Sequence, residues 1–104
     1  MDLHVKAIGI EHTEAIDAYV EEKIGGLEKF LTKIPTPHDA HIEIGKTSSH
    51  HRNGEVMMCH AHLTVPGTTL HAESDKEDLY AAIDEVKDEL ERQIIKYKEQ
   101  RERE

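Results

Sequence analysis

The 104 residues hold 13 Lys and Arg against 22 Asp and Glu, a formal net charge of −9, with nine His and one Cys. That length has room for one domain with a modest core, and the charge excludes indiscriminate coating of nucleic acid or membrane, which needs an overall basic surface. Any RNA contact therefore has to be local.

A single cysteine cannot form an internal disulfide, no apolar run reaches the roughly 18 residues of a membrane span, and Met1 to Ile10 does not read as a signal peptide. Together these point to a reducing cytoplasm and no membrane partner. The histidines make the charge labile: protonating all nine brings −9 to about zero, so acidification is expected to promote self-association.

Leu3, Val5 and Ala7 alternate with His4 and Lys6, predicting a first strand with one apolar face. Thr13 can cap a helix with Glu14 in its first turn, and Ile16, Val20, Ile24, Leu27, Leu31 and Ile34 step by three or four along it. Gly25 and Gly26 fall inside this helix and mark either a weak point or a close backbone approach, and Pro35 and Pro37 end it. Ala40, Ile42 and Ile44 alternate in a second strand, followed by a polar loop, Gly45 to Gly54, expected to be mobile. Met57, Cys59, Ala61, Leu63 and Val65 form one face of a third strand, with Met58, His60, His62 and Thr64 on the other. Pro66-Gly67 suits the centre of a type II turn, and the resulting register sets Leu63 against Leu70, Ala61 against Ala72 and His62 against His71.

Ser74 with Glu77 fits a capping box. Leu79, Ile83, Val86, Leu90, Ile94 and Tyr97 then trace a helical stripe, and the charge-alternating residues Glu99 to Glu104 read as a frayed, solvated end. The fold class is α+β, in the order βαβββα, a single domain over 1–104 whose four-stranded sheet carries two parallel helices on one face. Parallel helices bring their C-terminal ends together, so Lys29 and Lys33 should share one basic rim with Arg92, Lys96 and Lys98. The bland alternative is that these cations only offset helix dipoles.

The residues Leu70-His71-Ala72, Asp78-Leu79-Tyr80-Ala81-Ala82-Ile83-Asp84, Leu90-Glu91-Arg92-Gln93-Ile94 and Leu27-Glu28-Lys29-Phe30 resemble the ribosome hibernation promoting factor family, which includes ribosome-associated inhibitor A. The resemblance implies the same βαβββα fold. It also implies binding to the small ribosomal subunit and its ribosomal RNA, in the channel used by messenger and transfer RNA, silencing translation during stress or stationary phase. It further implies the short form, without a C-terminal dimerisation domain, monomeric off the ribosome. The family's basic helix positions correspond to Lys23, Lys29, Arg92 and Lys96, whereas Gly26 and Glu89 stand where relatives carry lysine. Tyr80 matches an aromatic or apolar helix-start position, read as core packing rather than base stacking.

A second constellation lies on the opposite sheet face. His4, His41, His60, His62 and His71 should point to the open side with Glu73 beside His60, so that His60, His62, His71 and Glu73 form a candidate zinc set. A solvent-facing patch, or RNA contact by protonated imidazole, are the competing readings. His50-His51-Arg52 reads as a flexible polar loop tip.

No phosphate-cradling glycine loop, HExxH or nucleophile signature is present, and Cys59 falls on the apolar strand face, so no enzymatic activity and no cofactor are expected. The sequence thus reads as a ribosome-binding domain that grips phosphate through Lys23, Lys29, Lys33, Arg92, Lys96 and Lys98 and acts by occlusion. The rival is a protein-interaction or metal-handling domain using the histidine-rich sheet.

Overall fold

Residues 1–47 and 56–102 are described by a computed structural model, in which the alternating segments form strands β1 (Asp2–Ile8), β2 (Asp39–Lys46), β3 (Met57–Val65) and β4 (Thr68–Lys76). They make one sheet in the order β1-β2-β3-β4, with β1 parallel to β2 and the other neighbours antiparallel. Cα partners across β3 and β4 are Leu63 with Leu70, Ala61 with Ala72, His62 with His71 and His60 with Glu73, the register expected from the Pro66-Gly67 turn. Gly67 has φ +87°, the conformation a type II turn requires at its third position. Most of the polar loop between β2 and β3, including His50-His51-Arg52, lies outside the described residues, whereas Gly45 and Lys46 extend β2.

The first helical stretch departs from expectation. Helix α1 covers only Glu14–Lys23, and Gly25–Phe30 continues as a 3₁₀ segment. A Cβ on Gly25 would lie 3.2 Å from Leu3 Cδ1, so the close approach expected of this glycine pair occurs there. Thr13 Oγ1 caps α1 by accepting from Ile16 N at 3.2 Å, an interaction whose loss typically costs about 1 kcal/mol. All six residues of the apolar stripe from Ile16 to Ile34 are nonetheless buried, because a step of three serves a 3₁₀ turn as well as an α-helix.

Helix α2 spans Leu79–Glu102 and buries Leu79, Ala82, Ile83, Val86, Leu90, Ile94 and Tyr97. The capping assignment needs correction. Ser74 is a buried residue of β4, and it is Asp78 whose carboxylate accepts from Tyr80 N at 3.2 Å while its carbonyl accepts from Ala82 N at 3.1 Å. The segment read as a frayed end is helical as far as Glu102: Arg101 Nη1 donates to Tyr97 Oη at 3.1 Å, and its guanidinium lies 5.6 Å from the Tyr97 ring centroid. Tyr97 Oη in turn donates to the Pro66 carbonyl at 2.6 Å, tying this end of the helix to the β-turn.

Both helical stretches cover the same sheet face, where Ile42, Ile44, Cys59, Ala61 and Leu63 join the core. Truncating a fully buried member such as Leu90 typically costs about 2–5 kcal/mol, the lost transfer energy plus the cavity left behind. Cys59 is one of these buried residues, and burial pushes its thiol up to about 12, out of the range of a reactive thiolate. Among the described residues no helix is long and apolar enough to cross a membrane.

Candidate nucleic-acid interface

Tyr19 on α1 donates its hydroxyl to Asp84 Oδ1 on α2 at 2.5 Å and meets the Tyr80 ring edge-on at 4.7 Å between centroids. Farther along, Lys23, Lys29 and Phe30 line a groove of about 180 Å³ together with Lys87 and Glu91. Contacts therefore advance in the same direction on both elements, so the helical stretches run parallel. The Asp84 carboxylate raises the Tyr19 phenol to about 12; this contact contributes below the ordinary tyrosine range, near pH 10, and is lost as pH rises through 12.

Five of the six candidate cations divide between two flanks of α2, and the sixth, Lys33, lies apart. Lys23 and Lys29 border the inter-helix groove, each held near an aromatic face, with Lys23 Nζ 5.6 Å from the Tyr19 centroid and Lys29 Nζ 5.3 Å from that of Phe30. Lys98 follows Lys87 and Glu91 on the same side of α2 at 3.6 residues per turn. Lys33 is exposed in the turn after the 3₁₀ segment. Arg92 instead borders a groove against β4 lined by Glu73, Glu85, Asp88 and Glu89, and Lys96 lies one turn beyond it. The single rim expected from parallel helices is therefore split, because six residues separate Arg92 from Lys98 and that spacing turns them about 120° apart around the helix.

Acidic partners change what each cation can do. Arg92 donates to both Glu89 oxygens, Nε to Oε2 at 3.0 Å and Nη2 to Oε1 at 2.5 Å. These bonds, with a further one from Gln93, hold the Glu89 carboxyl down to about 2. Lys87, which sequence reading missed, pairs with Glu91 at 3.0 Å. Both pairs were legible as i,i+3 and i,i+4 spacings of opposite charge. Among the described residues Lys23, Lys29, Lys33, Lys96 and Lys98 form no ion pair, which leaves five ammonium groups available to phosphate.

Gln93, also unassigned from sequence, closes the outer edge of the sheet. Its Nε2 donates to the His71 carbonyl at 2.7 Å and its Oε1 accepts from His71 N at 3.2 Å, pairing backbone groups that β4 otherwise presents as an open edge.

The opposite sheet face carries the histidines. Their Cα register places His4, His41, His62 and His71 in one row across all four strands. Ring centroids lie 4.7 Å apart in the stacked pair His4–His41 and 4.6 Å apart in His62–His71. Glu73 Oε2 is 3.9 Å from His60 Nε2 and 3.7 Å from His71 Nε2. No group of three or more His, Cys, Asp or Glu among the described residues, the set His60, His62, His71 and Glu73 included, is arranged to hold a metal ion.

Fold and site together define a small α+β domain with a lysine-bearing helix layer on one side of its sheet and a histidine row on the other. The chain belongs to the Sigma 54 modulation protein / S30EA ribosomal protein family, whose profile matches residues 3–102. It is 41% identical over 88 residues to a ribosome hibernation promotion factor of Staphylococcus aureus (strain COL), covering 83% of this chain and 42% of that relative, so it spans less than half the relative's length. Among solved structures it resembles the N-terminal domain of Thermus thermophilus Protein Y, with a TM-score of 0.76, 26% identity and coverage of 93% and 99% of the two chains. It also shares the fold of a ribosomal subunit interface protein from Coxiella burnetii, with a TM-score of 0.76, 22% identity and coverage of 94% and 98%.

Proposed function

We propose that this domain binds the small ribosomal subunit in the messenger and transfer RNA channel and silences translation during stress or stationary phase. It acts by occlusion in the cytoplasm and is monomeric off the ribosome. The reading is carried by five lysines without carboxylate partners on the helix layer of a chain whose net charge is −9. The family supplies the partner, through the hibernation promotion factor to which the chain is similar. In this mechanism Lys23, Lys29, Lys33, Lys96 and Lys98 contact phosphate directly, and Arg92 joins them by exchanging Glu89 for a phosphate. The folded body fills the path, so shape and charge select the site without reading bases.

Cosedimentation with small subunits at neutral pH is the test. The unaltered protein pellets in low salt and is released as salt rises, and the variant Lys29→Glu/Arg92→Glu/Lys96→Glu stays in the supernatant. The variant His60→Ala/His62→Ala/His71→Ala pellets like the parent under these conditions. If the unaltered protein fails to pellet in low salt, the reading is rejected.

A further inference from the structure

The open sheet face has a charge pattern that the helix layer does not explain. Its central row, His4, His41, His62 and His71, crosses four strands without a carboxylate, a band about 14 Å long at the usual strand spacing. The neighbouring row on one side is Lys6, Glu43, His60 and Glu73, and on the other Asp2 and Asp39 continue into Thr64 and Thr69. Asp75 completes the charged groups that the register assigns to this face.

With neutral imidazoles the face therefore presents, among the described residues, five carboxylates against one lysine and repels a polyanion. Imidazole is the side chain whose charge changes between about pH 5 and pH 8. Full protonation of the five imidazoles reverses the balance to six cations against five acids and makes the central row uninterruptedly positive. The rings stack on one another in pairs, so an unpaired base can stack only on the outer face of a pair. Protonation sets like charges 4.6 to 4.7 Å apart within each pair, a repulsion that a phosphate held across the row offsets.

We propose that this row is a second RNA-contacting surface, engaged only when its imidazoles are protonated, which takes single-stranded RNA through phosphate contacts and base stacking. The proposal rests on the reading of the chain as an RNA-contacting partner of the ribosome and adds proton control to it. Phosphate held against the row favours the charged imidazoles, so RNA binding takes up protons and tightens as pH falls. A second copy of the chain is a poorer occupant, since its own row set against this one would meet it with like charge once the imidazoles are protonated.

The experiment measures fluorescence anisotropy of a labelled, uridine-rich single strand at constant ionic strength between about pH 8 and pH 5.5. The unaltered protein binds roughly tenfold or more tightly at the acid end, as expected if a few phosphate contacts are gained. The variant His41→Gln/His62→Gln/His71→Gln loses most of that rise. A control that also removes three imidazoles, none of them in the row, His12→Gln/His50→Gln/His51→Gln, keeps it. Equal losses in the two variants would reduce the effect to net charge and overturn the proposal, as would an unchanged rise in the row variant. Acid-induced dimers in sedimentation velocity without any RNA dependence would overturn it in favour of a second copy. Circular dichroism melts confirm that each glutamine variant is folded. Loss of small-subunit cosedimentation at neutral pH with the acid rise intact would instead sink the parent reading alone.

Discussion

Two glycines, one in β2 and one in the 3₁₀ segment, have opposite roles. Gly45 pairs with Ile8 across β1 and β2 at φ +154°, and a Cβ there would sit 1.9 Å from the Ile8 carbonyl oxygen. Both the backbone conformation and the space require glycine, so Gly45→Ala should cost at least about 2 kcal/mol. Gly26 has no positive φ and nothing within 4 Å of its would-be Cβ. There Gly26→Ala should be neutral or stabilise by up to about 1 kcal/mol, through the reduced freedom of the unfolded chain. Urea unfolding midpoints of the two variants check the contrast, and comparable destabilisation by both would contradict it. Sequence spacing flagged Gly25 and Gly26 as a pair but could not tell which one is crowded, because the atoms nearest a Cβ on Gly25, both at 3.2 Å, are Glu21 Oε1 and Leu3 Cδ1, and Leu3 lies on another element.

Gln93 shows what an element needs that its own sequence cannot reveal. β4 has a strand neighbour on one side only, and the Gln93 amide occupies the other side at His71 with two hydrogen bonds. Replacing it with alanine should leave the core intact yet expose the His71 amide, so native-state hydrogen exchange at that position should accelerate severalfold while residues facing β3 keep their protection. Unchanged exchange at His71 would mean that the side-chain bridge adds no protection. Element order and the β3–β4 register were readable because alternation and the Pro66-Gly67 turn are local signals. The early end of α1 was not, since apolar spacing continues unbroken through the 3₁₀ segment. Nor was the start of α2, because a serine followed three residues later by a glutamate looks the same on a strand that runs on to Lys76 as before a helix. At the candidate site the cation types could be read but their grouping could not. Grouping depends on which flank of α2 packs toward α1 and which toward β4, a matter of tertiary packing and not of spacing along the helix.

At the scale of the whole molecule, the proposed RNA contact sets two charges against each other: the net charge of −9 opposes approach at long range, and the lysines without ion-pair partners favour contact at short range. The two act over different distances. Repulsion between the bodies extends about a Debye length, roughly 10 Å at 0.1 M salt, whereas phosphate contacts form only on docking. Salt should therefore act on the two rate constants differently. Screening removes the barrier to encounter, so association with small subunits should stay level or quicken as salt rises, opposite to the slowing seen when a basic protein is steered to nucleic acid. Dissociation should quicken more steeply, because cations compete for the phosphates that the lysines would hold in the proposed complex. Affinity then falls with salt almost entirely through the off-rate. Stopped-flow association at two salt concentrations separates the terms, and an association rate that drops severalfold would show that the local lysine field already dominates at encounter distance. Lys29→Glu, by contrast, should mainly quicken dissociation, because it removes a contact while adding only two units to a charge that is already strongly negative.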